Sequence, residues 1–158
     1  MRLSALLIAV ATTVALALPA GATPINSAGL TRGEIATFLK SKGYPVTATK
    51  DANGLQILKA TTPAGVNFDV YFFDCDDAGR CPSLQFAAGW SMQNPVDRDK
   101  LNVWNREHRY MRAYVQDGGA LYGEFDMIIA PGGSTEQLET DRELFNTLLA
   151  KFKSHFGI

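Results

Sequence analysis

Arg106, His108, Arg109 and Arg112 crowd one short stretch, LNVWNREHRYMRAYV, beside Trp104, Tyr110 and Tyr114. Guanidinium groups bind carboxylates through paired hydrogen bonds and stack on aromatic rings, so this mixture suits a carboxylate-bearing peptide or a polar ligand. A structural role competes for two of these residues. Arg112 can pair with Glu124 across a hairpin, and Trp104 can anchor a helix in the core; both roles are preferred here. Arg106, Arg109, Tyr114 and Tyr122 stay as the candidate binding residues.

Other candidate chemistry is weaker. Asp74-Cys75-Asp76-Asp77-Ala78-Gly79 partly imitates a calcium loop, but its fifth position is Ala78 and its twelfth is Gln85, so two ligands are missing. A solvated acidic hairpin tip is the better reading, and no metal site is expected. Cys75 and Cys81 lack the C-x-x-C spacing of redox exchangers and are better explained as a bridge than as a free thiolate. His108 and His155 are isolated and make no metal pair at helical spacing, and no G-x-S-x-G elbow occurs. No catalytic residue and no cofactor is therefore expected. The alternative is an enzyme whose site is assembled from distant residues.

The elements that position these groups follow from parity, because residues facing each other across an antiparallel pair share one side of the sheet. A three-residue loop Asp117-Gly118-Gly119 pairs Val115 with Leu121, Ala113 with Gly123 and Met111 with Phe125. The other face then pairs Tyr114 with Tyr122 and Arg112 with Glu124. A two-residue turn would set each apolar residue opposite a polar one, and Gly119 supplies the left-handed position that the three-residue loop needs. If Cys75 faces Cys81, the same reasoning puts Val66, Phe68, Val70 and Phe72 opposite Trp90, Ala88, Phe86 and Leu84. The disulfide is then expected on the opposite, wetter face.

Met1 to Ala22 combines Arg2, an apolar run from Leu3 to Leu18, and Ala20-Gly21-Ala22 as a cleavage site, which reads as a secretory signal peptide. The run is shorter than the roughly 20 residues of a spanning helix, so stable membrane insertion is not expected. Residues 23–29 are read as a flexible N-terminal segment and residues 30–158 as one domain. Removing Arg2 lowers the 15 basic side chains to 14 against 16 acidic ones, a formal charge of −2. Nucleic-acid binding has no electrostatic footprint in such a chain. Export places the two cysteines where a bridge forms, so a periplasmic or secreted protein is expected.

Thr31-Arg32-Gly33-Glu34 reads as a capping box, with Ile35, Phe38, Leu39 and Lys42 following at helical spacing before Gly43. Strand-like runs cover Val46 to Thr49, Leu55 to Thr61, Val66 to Asp74 and Ser83 to Ser91, joined by short turns that favour antiparallel neighbours. A one-sided helix spans Asp97 to Arg106, and a long one capped by Ser134 carries Leu138, Leu144, Phe145, Leu148, Leu149, Phe152 and Phe156 on one stripe. The order α-β-β-β-β-α-β-β-α implies an α+β domain with a largely antiparallel twisted sheet flanked by helices.

The helix ending LKSKGYPV, the run FDVYFFDCDDAGRCPSLQFAAGW, the stretch LNVWNREHRYMRAYVQDGGALYGEFDM and the closing amphipathic helix together resemble the YbjN-domain family over roughly residues 30–157. The WN…R…RAY run followed by an acidic strand is the most specific part. The resemblance implies a fold similar to type III secretion chaperones, which are often dimeric, and it implies no catalytic residues. The function expected is that of a small exported, non-enzymatic adaptor or chaperone-like regulatory domain. Its expected partner is a protein, with a second copy of the chain among the options.

Protein taken from an oxidising compartment is expected to hold no free thiol. Replacing both Cys75 and Cys81 by Ser should cost about 2–3 kcal/mol on the loop-entropy estimate without changing the fold. Thiol titration that finds two reactive groups would contradict the bridge.

Overall fold

The computed structural model describes residues 22–158. The leader expected over residues 1–22 lies, but for Ala22, outside the described residues. The elements in chain order are β1 (Leu30–Thr31), α1 (Arg32–Ser41), β2 (Val46–Lys50), β3 (Gln56–Thr61), β4 (Asn67–Phe73), β5 (Arg80–Cys81), β6 (Ser83–Trp90), α2 (Arg98–Glu107), β7 (Met111–Val115), β8 (Leu121–Ile128) and α3 (Thr135–Phe156). Six strands form one antiparallel sheet in the order β2-β3-β4-β6-β8-β7, and β1 pairs with β5 in a separate two-residue ladder. This is the expected α+β arrangement. The two short strands were not foreseen, because nothing in two residues carries a period.

Both hairpin registers are those that parity demands. Val115 faces Leu121, Tyr114 faces Tyr122 and Arg112 faces Glu124, while Val70 faces Phe86 and Phe72 faces Leu84. Gly118 and Gly119 both take the left-handed backbone at the first of these tips. The helices start where the caps say. Glu34 N donates to Thr31 Oγ1 at 3.3 Å and Thr31 N donates to Glu34 Oε2 at 2.7 Å, and Gln137 N donates to Ser134 Oγ at 3.2 Å.

Cys75 and Cys81 are joined in a disulfide. Its surroundings correct one expectation: Cys75 is exposed, but Cys81 is fully buried rather than lying on a wet face. The cause is β1, which lays Leu30 opposite Cys81 and closes over it. Arg80 holds that arrangement by donating to Gly29 O at 3.0 Å and to the capping carboxylate of Glu34 at 3.2 Å. Residues 23–29 continue along α3's start: Ile25 N donates to Gly133 O at 2.9 Å, Thr135 N donates to Thr23 O at 3.0 Å, and the Ile25 side chain is buried.

All three described helices lie on one face of the sheet. Leu58, Val70, Phe86 and Phe125 from the strands form a single core with Ile35 and Leu39 of α1, Trp104 of α2, and Phe145 and Phe152 of α3. Strand residues of the opposite parity, such as Tyr71, Glu124 and Tyr122, have no place in that core. Gly123 lets α3 approach, since a Cβ there would stand 3.0 Å from the Phe152 ring.

The β7 edge is closed by side chains of α2. Hydrogen-bonded and outward-facing residues alternate along an edge strand. Gln116 N bonds to Ala120 O, which turns residues 112 and 114 toward β8 and residues 111 and 113 outward. Trp104 Nε1 donates to Met111 O at 2.9 Å. Asn105 completes the pairing, with Nδ2 donating to Ala113 O at 3.0 Å and Oδ1 accepting from Ala113 N at 2.8 Å. The amide of Asn105 thus does for Ala113 what a further strand would do, and it protects the edge from pairing with another chain.

Trp104→Ala is expected to cost about 3–5 kcal/mol, since it empties a fully buried site and strands the Met111 carbonyl. Asn105→Ala should cost about 1–3 kcal/mol from the two backbone groups left unpaired. Denaturant titration checks both; a wild-type midpoint for Trp104→Ala would move that residue out of the core.

Candidate functional site

The face of the sheet away from the helices carries the groups that could do chemistry. Register places Lys59, Asp69, Ala87, Glu124 and Arg112 in one row across five strands, so charge runs from one cationic end to the other over two carboxylates. Tyr71, Gln85 and Asp126 form the row on one side. Asn67, Gly89, Tyr122 and Tyr114 form the row on the other.

Glu124 is the centre of this face. It is only 7% exposed, accepts a 2.6 Å bond from the Tyr114 hydroxyl and a 2.7 Å bond from Arg112 Nε, and pairs with Arg112 Nη2 as well. A carboxylate taken from water needs such charge-assisted partners to offset its desolvation. Gln85, also buried, donates from Nε2 to Asp126 Oδ1 at 2.8 Å. Tyr114 and Tyr122 stack with ring centroids 5.6 Å apart. Tyr122 lies flat across β6 because residue 89 is glycine: a Cβ there would stand 2.7 Å from its ring.

Burial and hydrogen bonding shift the titratable groups of this face. Burial, then the hydrogen bond to Glu124, pushes the Tyr114 phenol well above the ordinary tyrosine range. Burial first, and Asp69 second, raises Tyr71. Burial also raises Asp69, with Lys59 opposing it. The hydrogen bond to Glu124 raises Arg112 further above its already high value. Both phenols therefore stay protonated at neutral pH, and the central carboxylate is fully engaged as an acceptor. What remains available is a surface of rings, hydroxyls and fixed charges.

Of the four candidate binding residues, the structure brings Tyr114 and Tyr122 together on this face. Arg109 stands at its corner, with its guanidinium 5.2 Å from the ring centroid of Tyr110. Tyr110 in turn shares a shallow groove with Arg112 and Asp126. Arg106 projects from α2, is largely exposed, and pairs with its neighbour Glu107 at 3.2 Å. None of its described contacts joins it to the tyrosines.

Sequence reasoning missed Tyr71, Gln85 and Asp126, and it named Tyr110 beside the arginines without keeping it as a candidate. The first three share the parity of Glu124 and could have been found by carrying the hairpin register across β6. Tyr110 could not, since its signal is a backbone angle: φ is +72°, rare for a side chain of that size. His108 and His155, isolated in sequence, meet around Trp104 with ring centroids 6.5 Å apart. His108 stacks on the indole at 3.8 Å, and His155 Nε2 lies 2.9 Å from Lys100 O, so both are packing groups for α2 and α3. Among the described residues no three His, Cys, Asp or Glu side chains cluster as metal ligands, and no helix is long and apolar enough to cross a membrane.

A tyrosine whose pKa is raised by folding contributes stability that is present below its unfolded value and lost as pH rises toward the folded one. Wild type should therefore lose stability above about pH 10, in the window that starts at the ordinary tyrosine value. Tyr114→Phe should be less stable at neutral pH but lose less over that alkaline range. Parallel alkaline slopes of the urea midpoint in the two proteins would remove Tyr114 from this role.

No curated protein matches the chain. The YbjN family, described as "Putative bacterial sensory transduction regulator", matches residues 31–157. That description names a regulator and no catalysed reaction, which is consistent with a regulatory or adaptor role. The match takes in every described helix and every strand of the six-stranded sheet, and the chain belongs to the YbjN family.

Proposed function

We propose that this protein is an exported, non-enzymatic adaptor domain that binds another protein through the bare face of its sheet and the corner beside it. The observation that carries this reading is the one-sided packing. With all described helices on one face, the other offers Tyr71, Tyr114 and Tyr122, and beyond them the exposed apolar side chains Phe73 and Ile128. Phe73 and Ile128 flank Ser83 in a single row, close enough to act as one patch. Aromatic and Arg anchors are the residue types that carry most binding energy at protein interfaces. Export is supported by the leader-like N-terminus and by the disulfide.

Tyr110 adds a second support. Its left-handed backbone costs about 1–2 kcal/mol relative to an ordinary conformation, yet the residue is 60% exposed and buries little in return. A strained, exposed aromatic topped by Arg109 fits a contact residue better than a folding residue.

Asn at position 110 tolerates the left-handed region. Tyr110→Asn is therefore expected to leave the melting temperature unchanged or higher while weakening partner capture, as should Ile128→Ser and charge reversal at Arg106 and Arg109. Loss of one anchor of about 2 kcal/mol corresponds to roughly 30-fold in affinity. Capture from a cell-envelope extract, quantified against wild type, reads the effect. If all four variants hold the same proteins as wild type, this face is not the site. A stoichiometric cofactor in native protein would instead favour an enzyme.

A further inference from the structure

The two edges of the six-stranded sheet are treated differently, and we infer that β2 is the seam at which a second copy of this chain pairs, antiparallel about Ala48, to make one continuous sheet. The inference concerns a surface separate from the adaptor face, so either reading can fail alone.

At the β7 edge the Met111 carbonyl and both backbone groups of Ala113 are taken up by Trp104 and Asn105. At the β2 edge nothing does this. Thr61 N bonds to Pro45 O and Asp51 N bonds to Leu55 O, which turns residues 45, 47, 49 and 51 toward β3. The N–H and C=O of Val46, Ala48 and Lys50 therefore point outward, and among the described residues no hydrogen bond reaches them. Proline can blunt an edge by removing a donor, but Pro45 faces inward and its missing N–H spares the outer side. The strand has no bulge in its register with β3, and Thr47, Ala48 and Lys50 are exposed.

The β2 edge is complementary to itself. Two antiparallel copies of Val46–Lys50 centred on Ala48 place Ala48 opposite Ala48 and Val46 opposite Lys50. In that register every outward N–H and C=O of both strands finds a partner. Thr47 faces Thr49 in the two intervening pairs, a cross-strand combination that hydrogen-bonds well. The dyad residue has the smallest chiral side chain, so the side chain at the dyad adds little bulk to the approach. The two Lys50 ammonium groups stand at opposite ends, about 13 Å apart along the strands, beyond the Debye length of about 8 Å at physiological salt. A twofold contact of this kind closes on itself and buries the edge whose outward groups no side chain takes up among the described residues.

Sedimentation velocity on protein purified from the periplasm tests this. Wild type is expected as a dimer at micromolar concentration. Ala48→Pro removes an outward donor without touching the ladder to β3, and should give a folded monomer. Ala48→Cys should form an intermolecular disulfide on mild oxidation, because hydrogen-bonded antiparallel partners stand about 5.5 Å apart at Cα, within bridging range. This variant decides the matter if the proline variant misfolds. A wild-type monomer at 100 μM overturns the inference; so does a dimer that survives Ala48→Pro, or Ala48→Cys that stays uncrosslinked. A monomer whose β2 takes an unrelated peptide would also overturn it, since the occupant is then another protein.

Discussion

A buried or half-buried sheet edge must have its backbone groups satisfied, and the contact on which this fold turns is the pairing of Asn105 with Ala113 beside the Trp104 to Met111 bond. Those bonds seat α2 along β7. With α2 seated, Trp104 is fixed against Phe152 at 5.0 Å and against His108, so α3 has something to lie on beyond the sheet itself. The same contact orients the β7-β8 hairpin, which delivers Arg112, Tyr114 and Glu124 to the opposite face. One short run, Trp104-Asn105, therefore couples the helical layer to the face proposed to meet a partner.

The layering explains the polar chemistry of that surface. A sheet covered on one side only must make its other side compatible with water while keeping its centre dry. Ile57, Ala87, Gln85 and Glu124 are buried there with no helix over them. Flat-lying neighbours do the covering, with Tyr122 across Gly89 and Arg112 and Tyr114 folded onto Glu124. Interactions that would suggest acid-base chemistry in isolation, a buried glutamate and a tyrosine with a raised pKa, are here mutual satisfaction. They leave the rings and the Phe73 and Ile128 side chains as what a second molecule would meet.

Much of this was legible in the residues because the side-chain period of a strand is two. One assumed bridge and one loop length sufficed to place Val70 opposite Phe86 and Tyr114 opposite Tyr122, and the caps at Thr31 and Ser134 marked helix starts. What stayed hidden depends on contacts between segments far apart in the chain. The burial of Cys81 is decided by Leu30, the meeting of His108 with His155 by how α2 crosses α3, and the role of Asn105 by the edge position of β7, which no local pattern reveals. Of the candidate site, the tyrosine pair and the Arg112 pairing could be read in advance. The Tyr110 corner could not, since it lives in a backbone angle.

The dependence of the fold on the Asn105 amide is open to direct measurement by residue-resolved hydrogen exchange. An edge-strand amide facing water exchanges by small local openings, whereas one paired as firmly as an interior ladder exchanges only through large ones. The Ala113 amide in wild type should be as slow as those of β6 and β8. In Asn105→Ala its protection should be lost while β4 and β6 keep theirs. Fast exchange at Ala113 in wild type would contradict the closed edge, and with it the linkage between α2 and the face that β7 and β8 present.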